Sequence, residues 1–154
     1  MHRQEVFYDE ESHCVLQENP VQYLATIGRD GKAKCRPFMF AGEMDGKLWF
    51  CTNSTKDVYK DMQEHPYVEL SVSSPSYAWI RLSGKAVFEN NMAAKEMCMA
   101  NPIVKGQYGD ASNPIFEVFY LAESPLHVSR RFFRQPASGI TPCKGWQYCS
   151  TCVL

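Results

Sequence analysis

Two Asp-Gly dipeptides constrain the fold of this chain more than any other feature. Asp30-Gly31 separates the run 21–27 from the run 33–41, and Asp45-Gly46 separates that second run from 47–52. The runs are rich in aromatic and apolar residues, and an Asp-Gly pair between two such runs is a good signal for a β-hairpin. We therefore predict three consecutive antiparallel strands joined by tight turns.

The rest of the chain continues this mainly β pattern. Further strands are predicted at 67–73, 77–88, 115–121 and 126–133, with Gly84 as a bend or bulge in the second of them. Short helices are predicted at 9–19, at 54–65 after a Ser54 cap, and at 92–100, whereas 103–114 is expected to be a loop. Without a regular βα alternation, this order indicates an α+β, six- to seven-stranded antiparallel split β-barrel with short peripheral helices.

Composition limits the classes of function. The 154 residues suit one domain, and the net charge of −1 argues against a nucleic-acid surface. The first twenty residues carry acids where a secretory signal needs an apolar core, and no run is long and apolar enough to span a membrane. The odd count of seven cysteines favours free thiols in a reducing compartment. We expect a cytoplasmic protein that neither crosses a membrane nor binds nucleic acid.

The end of the chain differs from the rest. Residues 135–154 show no usable period, so we assign the barrel domain to residues 1–134 and treat 135–154 as a cysteine-containing tail, either packed on the barrel or flexible. Cys143, Cys149 and Cys152 supply only three thiols, without the second CxxC pair of a convincing zinc site. We expect no metal there. The alternatives are thiols that exchange electrons or form a disulfide, and cysteines with no specific role.

Arg36 is the first candidate functional residue. It lies in an apolar run, where its charge needs a partner or a solvated edge. Pro37 beside it removes a ladder hydrogen-bond donor, which indicates an edge strand or a place where a ligand replaces a neighbouring strand. The alternative is an arginine on the surface of an edge strand.

A second candidate follows the third strand. The sequence CTNSTK at 51–56 offers hydroxyl and amide groups, a lysine, and the free N–H groups of a helix N-terminus. Such a corner suits a phosphate, although Ser54 as a simple helix cap would explain part of it. If the second and third strands pair, Arg36 and this corner can face one ligand. Together they suggest a phosphorylated ligand with a flat ring.

These pieces resemble a known family. The sequences LAT before a DG turn, RPF, and LWFCTNSTKDVYKDMQEHPYVEL, followed by SGKA, are similar in order and spacing to the flavin-binding split barrel of the pyridoxamine 5′-phosphate oxidase-like family, over about residues 8 to 133. The resemblance implies a homodimer with FMN bound between the subunits. The cofactor-binding residues that it implies are Arg36, Pro37, Phe38, Cys51, Thr52, Asn53, Ser54, Thr55 and Lys56, with Trp79, Lys105 and Gln107 from the other subunit.

The resemblance also implies a function. We expect an FMN-binding flavoprotein, an oxidoreductase that passes electrons from a nicotinamide donor to a small acceptor. The alternatives are a non-catalytic module that binds or senses FMN, and binding of the deazaflavin F420 in the same cleft. The region 130–154 does not match the substrate-binding end of the true oxidase, which argues against pyridoxamine phosphate as the substrate. No catalytic acid or base is assigned, because the redox chemistry resides in the flavin.

Overall fold

The computed structural model describes residues 15–73, 79–123 and 126–127. Residues 15–18 are helical and are called α1. The other elements in chain order are β1 Gln22–Ile27, β2 Ala33–Phe38, β3 Phe40–Met44, β4 Lys47–Asn53, α2 Asp57–Glu64, β5 Tyr67–Ser73, β6 Trp79–Phe88, α3 Met92–Met99, α4 Pro102–Tyr108, β7 Phe116–Ala122 and β8 Leu126–His127.

The strands form one antiparallel sheet in the order β2-β1-β5-β6-β7-β4-β3, and β8 pairs with β6. The described pairings leave β2 and β3 as the two edges, so the sheet curls without closing. Side chains on its inner face fill the main core, where Phe50 stacks on Phe119 with ring centroids 5.5 Å apart. This architecture confirms the predicted mainly β split barrel with short peripheral helices.

The predicted strand 33–41 is in fact two strands. β2 pairs with β1, whereas β3 pairs with β4 in the second Asp-Gly hairpin. Met39 alone separates β2 from β3, and a register shift follows between Phe40 and Gly42. The expectation that the whole run pairs with the third strand was therefore wrong. β1 and β4 lie at distant positions in the sheet, so one continuous strand cannot pair with both. The run therefore breaks at Met39, where its pairing partner changes from β1 to β4.

The predicted irregularity at Gly84 also differs from the structure. Gly84 pairs with Val68 in an unbroken β5–β6 register, so the strand has no bulge toward β5 at this point. On its other edge, β6 pairs with β8 at Arg81 and Leu82 and with β7 from Lys85 onward. Gly84 thus lies where β6 changes neighbours.

A second layer of helices covers the outer face of β4 and β7. Trp49, Val118 and Phe116 pack there against α3 and α4, which contribute Ala94, Cys98, Val104 and Tyr108. The helix α4 replaces the loop predicted at 103–114. Asn101 caps it by accepting a hydrogen bond from the Ile103 N–H, Pro102 stands in its first turn, and buried Val104 and Tyr108 lie four residues apart on one face.

The helix α2 closes one end of the barrel around a buried carboxylate. Asp61 is fully buried and accepts hydrogen bonds from the Arg29 N–H and Nε, both at 3.1 Å, and from Lys34 Nζ at 3.3 Å. The Arg29 backbone donor, together with Arg29 and Lys34 side-chain bonds, holds the pKa of Asp61 below its usual range. This network anchors α2 to the β1–β2 hairpin. None of the helices described is long and apolar enough to cross a membrane.

Candidate functional site

The open side of the barrel contains a gap that we call the seam. One wall is β2, Ala33–Phe38, whose described pairings are to β1 alone. The other wall is the end of β4, Cys51–Asn53, which pairs with β7 but extends beyond its pairing with β3. Both walls present backbone groups that have no strand partner among the described elements. The seam is therefore a place where a ligand can be received between two strand edges.

Arg36 lines the β2 wall. Its guanidinium Nη1 donates to Thr26 Oγ1 at 2.7 Å and lies 3.4 Å from the Leu24 carbonyl oxygen. The Thr26 side chain is buried and lies on the inner face of β1, so it fixes the arginine on the same side of the sheet. Arg36 itself is half-buried, which leaves part of its donor-rich fork free to meet an anion.

Phe38 and Phe50 show how the two walls align. Their ring centroids are 6.3 Å apart across the seam. β2 runs away from α2, whereas β4 runs toward it. Moving two residues toward α2 from Phe38 and from Phe50 therefore reaches Arg36 on the β2 wall and Thr52 on the β4 wall. The strand directions thus put Arg36 and Thr52 in the same layer on the inner face.

Thr52 contains an unsatisfied polar atom. Its side chain is buried at 2% exposure, and its Oγ1 has no hydrogen-bond partner within the part of the chain that the structure describes. A buried hydroxyl without a partner costs about 1–3 kcal/mol, so such groups are rare unless a water or a ligand completes them. The atom marks the seam as a position where a polar ligand would be stabilised.

The corner after β4 is a turn rather than the start of a helix. Asn53 Oδ1 accepts hydrogen bonds from the Thr55 N–H and Oγ1, both at 2.7 Å, and the Lys56 N–H donates to the Asn53 carbonyl at 3.0 Å. The helix α2 then begins at Asp57 with Lys56 as its N-cap. The predicted Ser54 cap was wrong, because the amide of Asn53 organises the turn in its place.

The beginning of α2 is left open to an anion. Lys56 makes no side-chain cap hydrogen bond, so the first backbone N–H groups of the helix have no internal acceptor. Lys56 is exposed, and no ion pair to its ammonium occurs among the described residues. The nearby acid Asp57 is already bonded to Arg29 Nη2 at 2.8 Å. Two positive sources therefore meet at this corner, the helix dipole and Lys56.

Cys51 lies on the opposite face of β4, toward the helical layer. It is half-buried beside Trp49 and the helix α3. A hydrogen bond from the Cys98 thiol, opposed by burial and aided by the Lys56 charge, lowers the pKa of Cys51. The sequence predicted Cys51 as part of the cofactor wall but gave no sign of the second thiol behind it.

Three of the predicted residues lie on elements apart from the seam in this chain. Trp79 begins β6 and is half-buried, whereas Lys105 and Gln107 are exposed on α4. Because the resemblance assigns these three residues to the other subunit, their role stays a prediction. Pro37 is exposed on the outer face of β2, and Phe38 packs on Phe50 and Phe119. Cys143, Cys149 and Cys152 and the side chain of His127 lie outside the described part.

Sequence reasoning missed two residues that shape the seam. Gln22 is fully buried, and its Oε1 accepts the Phe40 N–H at 2.6 Å, which ties β1 to the start of β3 at the end of the seam away from α2. Thr26 positions Arg36. Both polar residues alternate with exposed positions along β1, so the strand pattern indicated their inward direction but not their partners.

Comparisons with known proteins agree with this geometry. Residues 8–140 match the sequence model of the family described as pyridoxamine 5′-phosphate oxidase. The chain is 31% identical over 83 residues to the pyridoxine/pyridoxamine 5′-phosphate oxidase of Chromobacterium violaceum, an alignment that covers 53% of this chain and 39% of that protein. The match thus spans well under half of the length of that curated relative.

Solved structures share the fold. A nimC/nimA family protein from Clostridium acetobutylicum superposes with a TM-score of 0.70 at 30% identity, covering 81% of this chain and 98% of that one. An F420 reductase superposes with a TM-score of 0.57 at 18% identity, covering 79% of this chain and 100% of that one, which shows a common fold alone. With its split barrel, its seam and a family match that covers most of its length, the chain belongs to the pyridoxamine 5′-phosphate oxidase family.

Proposed function

We propose that this protein binds FMN in the seam and acts as an FMN-dependent oxidoreductase. The observation that supports the proposal is that β2, which carries Arg36, and β4, which ends at the corner before α2, lie unpaired beside each other in the described sheet, with Phe38 and Phe50 6.3 Å apart. An uncapped helix start with an unpaired lysine fits a phosphate, and the adjoining strand edges fit the polar rim of a flat ring. When bound, FMN supplies the electron-transfer chemistry.

Each residue of the seam has a binding role in this proposal. Lys56, Ser54, Thr55 and the first N–H groups of α2 receive the phosphate, and Arg36 reaches it or the ribityl chain from the opposite wall. The orphan hydroxyl of Thr52 gains a hydrogen-bond partner. Phe38 and Pro37 border the ring, and Asn53 holds the turn in shape. The protein binds and orients the cofactor, and none of these groups is assigned as an acid or base.

An absorption spectrum tests the proposal most directly. We expect the purified protein, or the protein incubated with FMN and then desalted, to be yellow and to show the visible absorption bands of an oxidised flavin. Heat release followed by mass measurement identifies the molecule. Release of F420 would favour the alternative cofactor, whereas protein that stays colourless after incubation with FMN would refute FMN binding. Oxidation of NAD(P)H by the loaded protein then separates an enzyme from a non-catalytic FMN-binding or sensing module.

We further propose a homodimer. Tyr23, Ile27 and Tyr67 are about half or more exposed and share the outer face of β1 and β5, where Ile27 and Tyr67 border a shallow apolar hollow. Contiguous exposed apolar side chains favour an interface. By contrast, the aromatic side chains of Phe116 and Phe119 are fully buried in the core. The cytoplasmic location stays a prediction from the sequence.

Light scattering tests this interface. We expect wild-type protein at twice the mass of the chain and Ile27→Glu at the mass of one chain, because the new carboxylate would be buried without a partner. Met92→Glu is the matched control, since Met92 is 48% exposed at the start of α3, in the helical layer on β4 and β7. A monomeric wild type, or a dimer that survives Ile27→Glu, would remove this face from consideration.

A further inference from the structure

Two thiols meet behind the seam, on neighbouring elements. Cys51 projects from the outer face of β4, and Cys98 lies on α3, which packs against that strand. Both belong to the apolar cluster around Trp49, so the two side chains share the layer between β4 and α3. Cys98 is 1% exposed, whereas Cys51 is half-buried, so an oxidant can reach Cys51 but not Cys98.

Their surroundings give the two sulfurs different protonation. The bond from Cys98 lowers the pKa of Cys51, with the Lys56 charge acting in the same direction and burial opposing it. The same bond, burial and the Cys51 charge raise the pKa of Cys98. The other titratable group facing Cys51 is Tyr108, whose pKa burial and the Cys51 charge raise to about 12. Cys51 is thus both the more accessible sulfur of the pair and the one whose pKa is lowered, which makes it the better nucleophile.

We propose that Cys51 and Cys98 are a peroxide-reactive pair that forms an intramolecular disulfide. The Cys51 thiolate attacks one oxygen of hydrogen peroxide, the O–O bond breaks, and the departing hydroxide takes up a proton to become water. The Cys51 sulfur is now a sulfenic acid, oxidised by two electrons. Cys98 then attacks this sulfur, its proton leaves with the sulfenic oxygen as a second water, and the S–S bond forms.

The arrangement suits the second step, because Cys98 lies on α3, the helix that packs against β4, and in the same cluster as Cys51. The disulfide would tie α3 to β4 directly behind Thr52 and Asn53. This inference does not depend on the proposed cofactor and is tested in cofactor-free protein.

Peptide mapping tests the pair. The reduced full chain is treated with one equivalent of hydrogen peroxide, alkylated under denaturing conditions and digested without reductant. We expect a Cys51 peptide linked to a Cys98 peptide, two hydrogens lighter than the sum of both, while Cys35 stays alkylated although it is exposed. If Cys51 and Cys98 stay alkylated while other cysteines are oxidised, or Cys51 becomes a sulfinic acid beside an alkylated Cys98, the proposal is overturned.

Two variants sharpen the test. Cys98→Ala removes the link, lets dimedone capture a sulfenic acid at Cys51, and moves the pH midpoint of Cys51 oxidation upward. Cys35→Ser is the matched control, in which the link persists. Dimedone labelling of Cys35 in place of Cys51, or an unchanged pH midpoint in Cys98→Ala, contradicts the assignment. If Cys98→Ala does not fold, the wild-type peptide map decides alone.

Discussion

Replacing Lys56 by alanine is expected to weaken FMN binding about 10- to 150-fold, because a charge-assisted hydrogen bond to a phosphate contributes roughly 1.5–3 kcal/mol. Lys56 is exposed and makes no side-chain cap hydrogen bond to α2, so its removal should not disturb the fold. Flavin fluorescence titration at a fixed salt concentration measures the change in Kd, and circular dichroism verifies that the variant is folded.

Lys60→Ala is the matched control for this measurement. Lys60 is exposed on the same helix one turn later, so the substitution removes the same charge without touching the corner. We expect its effect on Kd to be below about threefold, since screened charges at a distance contribute little. Unchanged affinity in Lys56→Ala would remove the β4–α2 corner as the phosphate site. Equal losses in the two variants would mean that general charge, and not the corner, attracts the flavin.

Replacing Asp61 by asparagine is expected to lower the free energy of unfolding by about 2–3 kcal/mol, within the range for hydrogen bonds to a charged group. Asp61 accepts from the Arg29 N–H and Nε and from Lys34 Nζ while fully buried. The expected loss of stability is smaller than when a fully buried ion pair is broken. The reason is that the side chains of Arg29 and Lys34 are 44% and 36% exposed, so water can hydrate their charges in the variant. Urea unfolding measures the difference.

Asp57→Asn is the control variant, because Asp57 and Asp61 share the partner Arg29. Asp57 bonds the same Arg29 at 2.8 Å but is 77% exposed, so we expect a loss of less than about 1 kcal/mol. Similar losses in the two variants would show that the burial of Asp61 is not what matters. A loss in Asp61→Asn below that in Asp57→Asn would contradict the proposed anchoring role of the buried carboxylate.

The same network predicts a pH dependence. The pKa of Asp61 is lowered in the folded state from its ordinary value of 3.8, so its contribution is fully present above that value. The contribution falls as the pH drops through the lowered pKa and Asp61 becomes protonated. We therefore expect the stability difference between wild type and Asp61→Asn to be constant from about pH 5 to 8 and to shrink below about pH 4. A difference that grows in acid would refute this assignment.

Local chemistry made the hairpins predictable. Gly31 and Gly46 have positive φ angles of 75° and 68°, and Asp45 has φ 55°, which is the backbone that these turns need and that Asp-Gly supplies. The buried positions of β1 alternate as the period of two requires. The family resemblance was likewise readable, because it depends on the order of short motifs along the chain.

Other features depended on long-range partners. The break at Met39 arises because β2 and β3 pair with strands at distant positions in the sheet, and an apolar run does not specify its neighbour. The helix α4 escaped prediction because Gly106 and the nearby Gly109 are typical of loops, while buried Tyr108 and Val104 hold it in place. The start of α2 moved to Asp57 because the Asn53 side chain outcompetes Ser54 for the local N–H groups.

The sequence by itself determined the turns, the strand periodicity, the polar corner at 51–56 and the family, because each of these depends on residues that are close together in the chain. Only the tertiary structure decided that the sheet stays open between β2 and β4, that Thr26 holds Arg36 in that opening, and that Thr52 Oγ1 is buried without a partner among the described residues. It also decided that Cys51 and Cys98 come together in the cluster around Trp49. These are contacts between residues far apart in the chain. They form only when strand order and packing are fixed, and no local pattern encodes which distant side chain will be the partner.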